Sequence, residues 1–232
     1  MIKIFRKNRK KTLKNNTLGK YFAYVFGEIF LVIIGILIAL GINKQSENKK
    51  KLELRDLYVI QLNDEADRNI EQLIAYKNTS IEMLKEIDTL FQLLVKKEYK
   101  NPKLSEKFFV LIGSNQFFPI MITYENLKFS GDIKLFEDLN LRNSISETYE
   151  TFNPIKRFEI LDHQAIAAFY QNFLMPNVSF KNMSKSLENE AKHVYFENMV
   201  LSRLLTIKQN QVAYGKSIKS LKNLKRTLVE ID

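Results

Sequence analysis

The chain has 232 residues, 45% of them hydrophobic, with seven Gly, four Pro and no Cys, which excludes disulfide frameworks, thiolate metal sites, iron-sulfur clusters and thiol nucleophiles. So few turn-forming residues argue against an all-β protein and for an all-α fold of long helices. The formal net charge of +10 is no nucleic-acid signature, because Lys3, Arg6, Lys7, Arg9, Lys10, Lys11, Lys14 and Lys20 carry most of it and the rest of the chain is close to balanced.

These eight cations define residues 1–20 as a basic tail with no acid. Residues 21–42 read YFAYVFGEIFLVIIGILIALGI, an apolar run broken by Glu28 alone. As a helix it spans about 33 Å, against a hydrocarbon core of about 30 Å. Its many Leu, Ile, Val and Phe outweigh the roughly 3 kcal/mol that Glu28 costs at mid-bilayer. Tyr21, Phe22, Tyr24 and Phe26 gather at one end, as aromatic residues do at the headgroup layer. The cations before the span outnumber Lys44, Lys49, Lys50, Lys51 and Arg55 after it, which predicts a cytoplasmic N-terminus and an exported C-terminal part. A secretory signal peptide, cleaved after the Ala39-x-Gly41 pair, is the rival reading.

Within the span, Ala23, Gly27, Gly35 and Ala39 recur at multiples of four, the small-residue spacing at which two helices approach closely. Glu28 borders this row. The five residues are the candidate transmembrane interface, in which Glu28 pairs with a second copy or a partner span. The competing reading is a shallow Glu28 that reaches back to the headgroups, beside glycines of ordinary membrane composition.

The stretch KYFAYVFGEIFLVIIGILIALGIN, Lys20 to Asn43, behind MIKIFRKNRKK, resembles the start of a family of uncharacterised bacterial single-pass membrane proteins, a domain of unknown function. The block LKFSGDIKLFEDLNLRNSISETYE, Leu127 to Glu150, is similar to a second recurrent block of that family. Members usually carry Asn-Asn-Trp or a similar run after the span, where this chain has Asn43-Lys44-Gln45-Ser46 and no Trp. The resemblance implies a bacterial inner-membrane protein with its C-terminal domain in the periplasm, and it implies no activity.

Residues 43–232 are expected to form the soluble domain. Val59, Leu62, Ala66, Ile70, Leu73, Leu84, Ile87, Phe91 and Leu94 recur mostly at three and four residues, predicting a long helix closed by Asn101-Pro102. A short helix with Leu104, Phe108 and Leu111 ends at Gly113-Ser114-Asn115. Thr123 is expected to cap another that Gly131 closes. Helical pattern resumes near Asn140, restarts at Asn153-Pro154 and runs through Phe158, Leu161, Ile166 and Phe169 to Met175-Pro176. Val200, Leu204, Ile207, Gln211, Tyr214, Ile218, Leu221 and Leu228 mark a last helix, with Gly215 a weak point. Together these predict an antiparallel helical bundle behind the transmembrane helix.

Few residues in this domain point to chemistry. His163 and His193 stand alone, without an HxxxH or HExxH pattern. At about 100° per residue Asp64, Glu65 and Asp67 do not share one face, and they are expected to be solvated. Phe108-Phe109 and Phe117-Phe118 are expected to fill the core, or alternatively to line a ligand groove. No nucleotide-binding or hydrolase motif is present. The sequence thus predicts a membrane-anchored periplasmic scaffold or interaction protein, not an enzyme, without cofactor or metal. Its expected partners are the lipid bilayer and, through the span, a second copy or another membrane protein. The alternative is a sensory or small-ligand-binding module acting through a separate membrane partner.

Overall fold

The structure, a computed structural model, describes residues 18–230. The expected cytoplasmic tail lies outside the described residues except for positions 18–20, which are helical. The described residues are helices and turns without strands. They divide into two compact units, one up to Arg55 and one from Asp56 onward, and helix α1 (Leu18–Val95) contributes to both.

In the first unit, α1 carries the apolar run. It is the one helix among the described residues long and apolar enough to cross a membrane. Its most apolar 18-residue stretch has a mean hydropathy of 2.8, and none of that stretch is buried. Side chains such as Phe26, Leu31, Leu37 and Ile42 stand more than half exposed. An apolar surface of this size facing outward is stable only in an apolar solvent or against another protein.

The second unit follows α1 with α2 (Lys103–Lys107), α3 (Ile122–Ser130), α4 (Leu139–Glu150), α5 (Phe152–Phe169), α6 (Met183–Glu190) and α7 (Val194–Val229). Two apolar clusters hold it together. One gathers Leu62, Leu73, Ile145, Tyr149, Ile155 and Tyr214; the other Ile87, Phe108, Phe169, Phe196 and Ile207. Of the positions expected on the inner face of α1, Val59, Leu62, Ala66, Leu73, Ile87 and Leu94 are buried, and Ile70, Leu84 and Phe91 partly so. Along α7 the inner residues repeat at seven: Val200, Ile207, Tyr214, Leu221 and Leu228 in one row, Phe196, Arg203, Asn210, Ser217 and Leu224 in the next. Two seams at this period give a long helix a continuous buried stripe. Helix α7 lies along α4 and α5, with Ser220 beside Thr148, Ser217 beside Thr151, Tyr214 beside Glu159 and Arg203 beside Asp162.

Gly131 ends α3 in the left-handed conformation, φ 78°, as a glycine beyond a helix terminus commonly does. Asp138 caps α4, accepting from Asn140 N–H at 2.8 Å. Helices α4 and α5 meet at Thr151, so the restart falls three residues before Pro154. Pro154 therefore sits in the first turn of α5, where its missing N–H has no intrahelical partner to lose. Two expectations fail locally. Thr123 is not the cap of α3: it lies inside the first turn, and its N–H goes instead to the Glu65 carboxylate at 2.7 Å. Leu161 is half exposed, and α5 buries Ile155, Glu159, Asp162 and Phe169.

Candidate functional site

Two surfaces stand out, each within one unit. The first is the row Ala23, Gly27, Gly35 and Ala39 with Glu28 beside it, all exposed. A Cβ added to Gly27 or Gly35 would meet nothing within 4 Å, so the space there is open. Each step of four residues overshoots a full turn by about 40°, so the row winds around the helix. A second helix crossing at an angle of about 40° would meet neighbouring members of it rather than all four.

The second surface is built around an extended segment. After the 3-10 turn Phe108–Leu111 the chain leaves helical structure and reaches α3 only at Ile122. Backbone groups in such a stretch need partners that no ladder supplies. Side chains of three helices provide them. Through Nη2, Arg203 of α7 donates to the carbonyls of Val110, at 3.3 Å, and Gly113, and its Nη1 pairs with the Asp162 carboxylate of α5. Both oxygens of Glu159 accept Phe117 N–H at 3.1 Å. Asn69 of α1 clasps Ile120 on both sides, donating to its carbonyl at 2.7 Å and accepting its N–H at 2.8 Å. Glu65, one turn earlier on α1, takes Thr123 N–H as described above. The five side chains are each at least nine-tenths buried.

Two tyrosines complete these anchors. Tyr214 donates to Glu159 at 2.8 Å and Tyr149 to Glu65 at 2.5 Å, with Tyr124 stacked on Tyr149 at 4.4 Å between ring centres. Burial, then the neighbouring carboxylate, pushes both phenols well above their ordinary range, so each remains a donor at neutral pH. Burial also raises the Glu159 carboxyl, against the opposing hydrogen bonds from Tyr214 and Phe117. A carboxyl raised by burial suits general acid-base work. Here both oxygens are engaged in holding the segment.

Between this segment and α5 lies a cleft of about 530 Å³. Its walls are Phe117, Phe118, Pro119 and Met121 on one side and Phe152 and Ile160 on the other, with Gln116, Glu125, Asn153, Lys156, Glu159 and His163 as polar members. The α5 contributors are spaced so that they form one stripe of that helix. Phe118 is 66% exposed although it stands in the wall, whereas its neighbour Phe117 is buried. His163 has its Nε2 buried without a hydrogen-bond partner among the described residues.

Several sequence expectations are thereby corrected. Glu65 is not part of a solvated face but is 1% exposed, and only Asp64 and Asp67 are solvent-facing, paired with Arg68 and Lys225. The aromatic pairs divide: Phe108 and Phe117 fill the core, Phe109 and Phe118 do not. Of the histidines, His193 precedes α7 near Glu190, and His163 lines the cleft. Glu159, Asp162, Asn69 and Arg203 had no place in the sequence reading. Their signal is positional: Asn69, Glu159 and Arg203 each stand three or four residues from a buried apolar neighbour on their own helix, and Asp162 stands three residues after the buried Glu159. Among the described residues no group of three or more His, Asp or Glu could hold a metal ion. Comparison with family models, with curated proteins and with solved structures finds no match.

Proposed function

We propose that this chain is a membrane-anchored interaction or scaffold protein of the bacterial inner membrane. In this reading its N-terminus is cytoplasmic, and its C-terminal unit is an antiparallel helical bundle in the periplasm. The observation that carries the proposal is the apolar stretch of α1, none of it buried, with its small residues and single acid. The excess of Lys and Arg before the span supports the orientation. The opposite chain directions in which α7 meets α4 and α5 support the antiparallel packing. A small-residue row favours close approach of a second helix, and an acid beside it gains from a hydrogen-bonding partner in lipid. Alkaline carbonate washing of membranes, followed by crosslinking of wild type and Glu28→Ala, tests it. The full-length chain should stay with the membrane, and the crosslinked species should weaken in the variant. Release into the supernatant, or the same monomeric pattern in both, would sink the proposal.

A second reading has its own observation. The cleft beside α5 has the volume of small-molecule sites, about 300–1,000 Å³, and supports a sensory or ligand-binding role through a separate membrane partner. A broad thermal-shift screen of the full-length chain in detergent tests that role; a screen without a hit overturns it.

A further inference from the structure

The cleft has a definite electrostatic layout. Glu159, at its floor, is 4% exposed and already accepts from Phe117 and Tyr214, so it offers no free carboxylate. Two rim charges are different. Glu125 of α3 and Lys156 of α5 are exposed, and neither has an ion-pair partner among the described residues. One cation and one anion thus face the same cleft from different helices without meeting each other. The same lining carries apolar walls that solvent reaches, Phe118 at 66% and Ile160 at 48% exposure.

A ligand complementary to this layout carries both charges and an apolar body. A simple carboxylic acid would satisfy Lys156 but bring its charge toward Glu125, and a simple amine would do the reverse. A molecule with an ammonium and a carboxylate on neighbouring atoms engages both, while its apolar side chain covers Phe118 and Ile160. We propose that the cleft binds a free amino acid with an apolar side chain, its ammonium held by Glu125 and its carboxylate by Lys156. The proposal rests on the ligand-binding reading of the cleft and adds the chemical class of the ligand.

The test is isothermal titration of the full-length protein in detergent with L-phenylalanine, N-acetyl-L-phenylalanine, L-phenylalaninamide and glycine. L-Phenylalanine should bind, and removing its ammonium charge, its carboxylate charge or its side chain should each weaken binding about tenfold or more. Glu125→Gln should erase the discrimination against the N-acetyl compound, and Lys156→Gln that against the amide. Both positions are exposed and unpartnered, so an unchanged thermal unfolding curve will show that the variants fold. If the N-acetyl compound or the amide binds as well as L-phenylalanine, the cleft is a ligand site and the amino-acid proposal alone falls. If none of the four binds, the amino-acid proposal also falls, and the ligand-binding reading is then decided separately by the broad screen. Binding of L-phenylalanine that neither variant affects overturns the placement in this cleft.

Discussion

The sharpest prediction concerns Arg203. Its side chain is 1% exposed, pairs with the 7% exposed Asp162 carboxylate, and holds the carbonyls of Val110 and Gly113. Arg203→Met keeps the apolar stem but removes the cation from a buried charge. Breaking such a pair typically costs about 3–5 kcal/mol, because the surviving ion stays desolvated without compensation. The two released carbonyls add to this, the one at Gly113 least because that residue is exposed and water can replace the guanidinium. At roughly 2–4 °C per kcal/mol for a domain of this size, the melting temperature should fall by about 6–20 °C. Scanning calorimetry of the full-length protein in detergent measures it. The double variant Arg203→Met, Asp162→Leu should recover a large part of the loss, since an apolar pair of similar volume often replaces a buried ion pair without penalty. Hydrogen exchange should quicken at residues 112–121 before it does in α1. A loss under about 2 °C, or a double variant no better than the single one, would refute the account of this anchor.

The other predictions are smaller. The folded state keeps the Glu159 proton to higher pH than the unfolded chain does. The stability contributed by this group is therefore full below the ordinary value near 4.5 and falls as pH rises through the raised one. Glu159→Gln should gain on the wild type in melting temperature as pH rises above about 4.5, and a pH-independent difference would contradict this. Gly215→Ala should stabilise by about 0.5–1 kcal/mol in denaturant unfolding, because the new methyl meets only Lys77 Nζ at 3.8 Å. Gly131→Ala should destabilise by about 1 kcal/mol in the same assay, entirely through its backbone at φ 78°, since nothing lies within 4 Å of the added Cβ.

Much of the helical architecture was legible because apolar spacing follows burial. The row from Val200 to Leu228 was readable at seven-residue intervals, and so were the ends set by Gly113 and Gly131. The second seam of α7 was not. Its positions hold Arg203, Asn210 and Ser217 before Leu224, and a pattern that scores polar residues as outward misses them. For the same reason Leu161 was placed inward while its flanking carboxylates, Glu159 and Asp162, are the buried residues. Burying a charge is unfavourable on average, and average behaviour is all that periodicity reports. The partners that reverse the sign here, Tyr214, Phe117 N–H and Arg203, lie tens of residues away in the chain.

The buried polar groups also explain why the cleft exists at all. A segment such as 112–121, carrying Phe117, Phe118 and Pro119 next to open apolar walls, would gain by collapsing onto α5 and covering Phe118. Its backbone is instead fixed at Gly113, Phe117, Ile120 and Thr123, at intervals of three or four residues, by side chains that are themselves immobilised in the core. Each anchor sets both a distance and a direction, which apolar contacts alone do not. Phe117 is thereby turned inward and Phe118 outward. Replacing the Arg203–Asp162 pair by apolar residues of similar volume can leave a stable domain, since buried ion pairs add little net stability. What such a domain would lose is the anchor at Gly113 that sets where the segment departs toward the cleft.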